Sequence, residues 1–412
     1  MKTNSEFLKN IFLMVSSTTF AQAIPLAVSP ILTRVYSPGE FGVFAIYIAI
    51  FYVLSSFSTM RYELAIVQEN QKNAYQIFYL CLLMSLIFFI TSFFMIYLFR
   101  EEISDFFKIQ QHANLLFLIP ISIFLHGFIQ SLSFLFTRNK QFSHIASSKI
   151  MQGASGGLFQ TLFGLLKNTF GLIFGFLISQ LFALSALIYG FLRKRKVLPK
   201  LNIPIVAYLA KKYKRYPLVS TFGITADNAS LQLPFFFVNN FFGSAITGFF
   251  SITSKVMNAP LSIIAPSISQ VYYQKIFELK KISPHKAFLF TFKTFAILLL
   301  ASLPFALIIF FFGEQIFSFI FGSEWAISGK YAQVLVFAAV IKFSVSPLSS
   351  VMSLKENIYA GTLWQVTYFI SLFTTLYFLS KGSLNSFIIG FTIHEIILYS
   401  LYLFLILKGT KA

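Results

Sequence analysis

Lys255 lies in "SITSKVMNAPLSII" (251–264), a stretch with no other charge. Ser251, Lys255, Asn258 and Ser262 recur at helical spacing and share one face of a helix. An ammonium in such a run needs an acidic partner or a hydrated chamber, where it could meet an anion. Upstream, Thr221, Thr225, Asn228 and Gln232 form a second such face with Asp227 beside it. Near the start, Thr18, Gln22, Ser29 and Thr33 lie close to one stripe that ends at Arg34. Two more ionisable residues, Lys342 and Glu395, also sit inside apolar runs.

The elements that must carry these residues are membrane helices. The chain has 412 residues, 57% hydrophobic and only 11% charged, where soluble domains carry about 25% charge. About twelve apolar runs reach the ~20 residues a spanning helix needs. They fall at 10–33, 41–60, 74–99, 113–136, 145–166, 169–191, 218–241, 246–273, 287–312, 330–352, 361–380 and 386–407. Transmembrane strands would alternate in segments of about 10 residues, so the fold class is an all-α polytopic membrane protein. The N-terminus has a signal-peptide outline, with Lys2 and Lys9 before an apolar stretch and "AQA" at 21–23. Ser16, Ser17, Thr18 and Thr19 dilute that stretch, and it continues through "IPLAVSPIL"; a retained first span is expected.

The net charge of +19 is distributed by loop. "RKRKVLPKLNIPIVAYLAKKYKRYP" (193–217) holds nine Lys and Arg and no acid. Its apolar middle suits a short interfacial segment. With that link in the cytoplasm, alternate loops hold about 22 and about six Lys/Arg, and most loop acids fall on the opposite side. This places both termini in the cytoplasm and makes anionic lipid, not nucleic acid, the partner of the basic link.

"RVYSPGEFGVFAI" (34–46) and "NFFGSAITGFFSI" (240–252) align at an offset of half the chain, with Gly42 on Gly248, Phe44 on Phe250 and Ile46 on Ile252. Six spans per half make a parallel repeat, with lobes at 1–200 and 201–412 and a substrate site expected between them.

Embedded charge has two readings. Asp227 with Lys255, and Lys342 with Glu395, could neutralise each other pairwise; or the cations could line a hydrated chamber of positive excess. With Arg34 the count is three basic to two acidic, so the two readings are compatible. Several other signals carry no chemistry. Cys81 has no second cysteine for a disulfide or a zinc site. "HEII" (394–397) is followed by Leu398 and lacks the second histidine of a zinc-protease motif. There is no Walker A string. Gly153/Gly157 and Gly171/Gly175 fit close helix packing.

"SPILTRVYSPGEFGVFAIYIAI" (29–50), "RYELAIV" (61–67) and "TRNKQFSHIASSKIMQGASGGLFQTLFGLL" (137–166) resemble the lipid-linked oligosaccharide flippases. These are the O-antigen transporter (Wzx-type) family of the multidrug/oligosaccharidyl-lipid/polysaccharide superfamily. The resemblance implies two six-helix lobes in a V-shaped, MATE-like arrangement that opens alternately to each side. It implies a cargo of undecaprenyl-pyrophosphate carrying an O-antigen or capsule repeat unit, flipped outward across a bacterial inner membrane. Polymerase and chain-length proteins of the same pathway are implied as partners. Family members use a cationic cavity for the cargo. Arg34 carries over by motif, and Lys255 and Lys342 by span only. The residues assigned to substrate are then Arg34, Lys255, Lys342, Asn258, Gln22 and Asn228. Asp227 and Glu395 are candidates for pairing or for proton or sodium coupling. No catalytic residue, metal or cofactor is expected. The rivals are an ion-coupled drug/cation antiporter of the same fold and a polysaccharide polymerase. The first should show an acid deep in spans one to six, where none stands clearly at mid-depth. The second needs a long outer loop, whereas 100–112 and 313–329 are short.

Overall fold

The computed structural model describes residues 22–193, 199–353 and 357–411. Lys2, Lys9, Thr18 and the basic run at 194–196 lie outside them. The described residues are helical throughout, with short turns and no strand. The helix at 22–35 (α1) is followed by α2 (Pro38–Ser55), the single turn α3 (Glu63–Ile66), α4 (Gln71–Phe106), α5 (Leu118–Arg138), α6 (Phe142–Leu165) and α7 (Gly171–Leu192). The rest are α8 (Ile203–Lys212), α9 (Thr221–Phe242), α10 (Ser244–Ile282), α11 (Pro284–Phe321), α12 (Ala326–Val345), α13 (Ile358–Leu379) and α14 (Leu384–Lys411). Without the short α3 and α8, twelve helices match the twelve expected spans.

Among the described residues, eight helices are long and apolar enough to cross a membrane. Of the other long helices, α9 and α10 hold polar faces singled out above, and α6 holds the glycine- and serine-rich "GASGG" segment. Polarity inside a span is tolerated where protein or water, not lipid, meets it.

Helix ends follow local rules. Asn70 and Asn202 cap α4 and α8 by accepting from the Asn73 and Ile205 amides, and Ser283 caps α11 ahead of Pro284 at the first helical position. Gly243 (φ 92°) and Gly322 (φ 108°) end α9 and α11 with backbone angles that disfavour a side chain. α4, α10 and α11 run to 36, 39 and 38 residues. At ~1.5 Å per residue they far exceed a hydrocarbon core of ~30 Å. The spans expected at 246–273 and 287–312 are therefore too short. "QKIFELKKI" (274–282) extends the first, and "PHK" (284–286) and "GEQIFSFIF" (313–321) extend the second at its two ends. Prolines lie inside α9 (Pro234), α10 (Pro260, Pro266) and α11 (Pro304).

The chain packs into two compact units. The first runs through residue 243 apart from 29–39; the second takes Ser29–Gly39 and everything from Ser244. Residues 201–243, counted with the second half from sequence, group with the first unit. Asn228 Nδ2 donates to Ser56 Oγ, just past the end of α2, at 2.8 Å, and Asn239 Nδ2 donates to the Phe107 carbonyl at 2.5 Å. Ser29–Gly39 groups with the second unit because Trp325, fully buried, donates from Nε1 to the Thr33 carbonyl at 2.9 Å. The first unit's core includes Ile77, Leu132, Leu187 and Leu209. The second unit's includes Tyr272, Ile276, Leu348 and Ile406.

Glycine permits the closest helix approach. A Cβ on Gly329 of α12 would lie 2.3 Å from the Gly313 carbonyl oxygen and 2.6 Å from Glu314 Cα on α11. Backbone must shift to admit it. Gly329→Ala is expected to destabilise the second unit by ~1–3 kcal/mol, read as a lower unfolding temperature in detergent. Gly382→Ala, whose Cβ meets nothing nearer than 3.5 Å, serves as the mild control.

Candidate functional site

The sequence-predicted residues fall into three settings. The first joins α1 and α10 within the second unit. Lys255 is half-buried, and its Nζ donates to Ser29 Oγ at 2.6 Å. One helical turn on, Arg34 is exposed; Nη1 donates to its own Pro30 carbonyl (2.9 Å) and Nη2 to the Phe319 carbonyl of α11 (3.3 Å). The structure thus brings Lys255 onto one unit with Ser29 and Arg34, over 200 residues away in sequence. The rest of the Lys255 face turns partly on itself. Ser251, Asn258 and Ser262 donate to the Gly248, Ser254 and Ala259 carbonyls of their own helix. Gln22 is exposed on α1.

The second setting is on α9. Asn228 binds Ser56 and, at 3.3 Å, the Tyr52 carbonyl of α2. Thr225 donates to the Thr221 carbonyl. Asp227 is half-buried beside them. Asn228 therefore acts in helix packing in this arrangement, the role polar residues most often have between spans.

The third setting is a charged cluster between α12, α13 and α14. Lys342 Nζ lies 3.6 Å from Glu395 Oε2. Glu395 is 3% exposed and accepts from the Tyr368 hydroxyl at 2.8 Å, with His394 Nδ1 at 3.5 Å. Lys342 also lies 5.5 Å from the centre of the Tyr399 ring, and Trp364 stacks on Tyr402 nearby at 4.5 Å. A buried carboxylate held this fully satisfies the demand for pairing and hydrogen bonding. Of the two readings of embedded charge, pairing describes Lys342 and Glu395.

Sequence reasoning missed three groups. Glu63, fully buried, accepts from Thr59 Oγ1 and, at 3.0 Å, from Gln130 Nε2, with Arg61 Nη1 at 3.5 Å. It follows Met60 and Arg61, both in the left-handed region (φ 51° and 61°), where side chains are strained. Lys149 of α6 is half-buried among polar residues. The third group lies outside the spans: Lys212 at the end of α8 pairs with Glu69, which also accepts from Asn73 (3.0 Å) and Tyr213 (2.9 Å). Gln76 and Tyr79 of α4 hold the Lys200 and Pro199 carbonyls (2.9 and 3.0 Å), so the expected interfacial segment is docked on α4. Val206 and Leu209 face inward, and Ile203 and Tyr208 are exposed.

The Lys212 hydrogen bond, then that of Asn73, holds the Glu69 carboxyl down to about 2. A folded-state pKa below the unfolded value of ~4.3 stabilises docking at neutral pH; that stability is lost as pH falls through the folded value. Spin labels at positions 72 and 208 should keep one distance from pH 8 down to pH 4.5 and spread near pH 2. In Glu69→Gln the spread should be present at neutral pH.

A family model described as polysaccharide biosynthesis protein matches residues 31–329. An uncharacterized membrane protein in the cps region of Klebsiella pneumoniae is 20% identical over 390 residues, covering 92% of this chain and 77% of that protein. Among solved structures, an inward-facing multidrug resistance MATE family transporter of the MOP superfamily is similar at a TM-score of 0.74, with 13% identity over 97% of this chain and 99% of that one. The lipid II flippase MurJ in an inward closed conformation is similar at 0.73, with 17% identity over 95% and 86%. At these identities the structures show a shared fold. They agree with an all-α multi-pass membrane fold. On the match of its residues 31–329, this chain belongs to the polysaccharide biosynthesis protein family.

Proposed function

We propose that the protein flips an undecaprenyl-pyrophosphate-linked oligosaccharide, an O-antigen or capsule repeat unit, from the cytoplasmic to the periplasmic leaflet of a bacterial inner membrane. It does so by alternating access, without covalent chemistry and with both termini in the cytoplasm. The observation that carries this reading is Lys255. It is an ammonium inside an expected span, half-buried, with its Nζ donating to the Ser29 hydroxyl, on the same unit as a second cation, Arg34. A mid-span lysine costs ~2.5–3.5 kcal/mol on insertion scales. A pyrophosphate partner gives that cost a use. Membership of a polysaccharide biosynthesis family supports a saccharide cargo.

Coupling to protons or sodium would use Asp227 or Glu395. Glu395 is engaged by Lys342, so coupling there requires the pair to open. The cation-antiporter alternative is weaker, because Glu63, the deepest acid of the first unit, already accepts from Thr59 and Gln130. The test is reconstitution. Liposomes holding the protein should carry a fluorescent undecaprenyl-pyrophosphate oligosaccharide from the inner to the outer leaflet, where an impermeant reagent oxidises it. Exposure equal to that of empty liposomes, or uptake of tetraphenylphosphonium instead, overturns the proposal.

A further inference from the structure

The first unit carries a half-open cavity of about 510 Å³, within the ~300–1,000 Å³ of small-molecule sites. Its walls come from α2, α5, α6 and α7. On α5, His126, Gln130, Ser133 and Thr137 share one face at helical spacing; on α6, Ser148, Lys149 and Gln152 do the same. Aromatic rings close one side: Phe51 meets Phe176 edge-on at 5.2 Å and His126 at 5.5 Å, with Tyr52 adjacent. Gln180 on α7 is 1% exposed, and its Oε1 has no hydrogen-bond donor among the described residues.

Amides, hydroxyls and aromatic faces together are what a pyranose needs: donors and acceptors for its hydroxyls and flat apolar surface for its C–H faces. The charge narrows the class. The lining holds Lys149 and no carboxylate. The nearby acid, Glu63, lies behind Gln130, which donates to it at 3.0 Å. One lysine matches a monoanion; a sugar phosphate carries about −1.5 to −2 and asks for more. An organic cation finds no counter-charge.

We propose that this cavity is a saccharide subsite for one carboxylated pyranose, a hexuronate, with Lys149 as the carboxylate partner and Gln130, Gln152 and Gln180 addressing the ring hydroxyls. It rests on the flippase reading only in taking that sugar to belong to the cargo.

Ser133→Cys places a reporter on the wall; the serine hydroxyl there bonds only its own helix turn, at the Ile129 carbonyl. The single native cysteine, Cys81, is fully buried and serves as the silent control. In detergent-solubilised full-length protein, N-ethylmaleimide should label Ser133→Cys, and D-glucuronate should slow that labelling. D-glucose and glucose 1-phosphate should slow it less, and tetraphenylphosphonium not at all. Adding Lys149→Gln should weaken glucuronate protection about tenfold, the scale of one charge-assisted hydrogen bond, and leave glucose protection unchanged. Gln152→Cys repeats the test from the opposite wall. Overturning results are labelling only after denaturation, labelling no sugar slows, protection by the cation, or glucuronate protection indifferent to Lys149→Gln. The same preparation is assayed for lipid flipping. Flipping without protection removes the subsite alone, and protection without flipping removes the flippase reading alone.

Discussion

Cells whose only copy carries Lys255→Ala are expected to make no surface polysaccharide, although the protein reaches the membrane in normal amounts. Insertion should if anything ease, because the substitution removes a charge that costs ~2.5–3.5 kcal/mol at mid-span. The neighbouring Ser29 hydroxyl loses a donor but no charge, so α1 and α10 keep their packing, pinned separately by Trp325 on the Thr33 carbonyl. What is lost is the cation proposed to meet the phosphate. Truncating one partner of a desolvated charged hydrogen bond costs ~2–5 kcal/mol, or about 30-fold and upward in affinity. Lys255→Arg, which keeps the charge, should restore part of the export, and Ser29→Ala most of it. Immunoblots of membrane protein and of surface polysaccharide read both arms. Normal export by Lys255→Ala would remove this residue from the cargo site.

The second large effect concerns the pair inside the second unit. Glu395→Gln leaves Lys342 buried without its counter-charge and should destabilise the protein by ~3–5 kcal/mol. Lys342→Met strands Glu395 and should cost a similar amount, softened by the Tyr368 hydroxyl that still donates to it. The double variant should be far more stable than the sum predicts, since residues this close couple. Unfolding temperatures of the four proteins give the cycle, and additive losses would show that the pair does not act as one. Transport separates structure from coupling. A double variant that regains stability and also exports shows a packing role; one that regains stability and cannot export shows that the charges act in transport.

The twelve helices were legible because long uncharged runs admit no other backbone in lipid. Their ends were not. "QKIFELKKI" is amphipathic and helical but not apolar, so hydropathy alone stops α10 too early. The polar faces were legible as faces, because spacing fixes which residues share a side. Spacing does not say what lies opposite: the α9 face that holds Asn228 meets α2, and on the Lys255 face three neighbours bond their own helix. Lys342 with Glu395 could be guessed because two opposite charges far apart in sequence must each find a partner in lipid. Glu63 and Lys149 escaped notice for different reasons. Glu63 lies just past the apolar run of α2, where a loop carboxylate would be unremarkable. Lys149 lies in a span already diluted by serine and glycine, and only the matching face on α5 gives it a meaning. That match, polar residues at helical spacing on two spans in the same half, was the signal available.

Between Leu289 and Phe319, α11 presents large apolar side chains to the outside at nearly every turn. That band is ~45 Å long at ~1.5 Å per residue, against ~30 Å of hydrocarbon. The mismatch is relieved by leaning the rod, by bending it at Pro304, or by drawing up the surrounding lipid. Acyl chain length therefore sets how steeply this helix stands, and thicker bilayers should hold it more upright than thin ones.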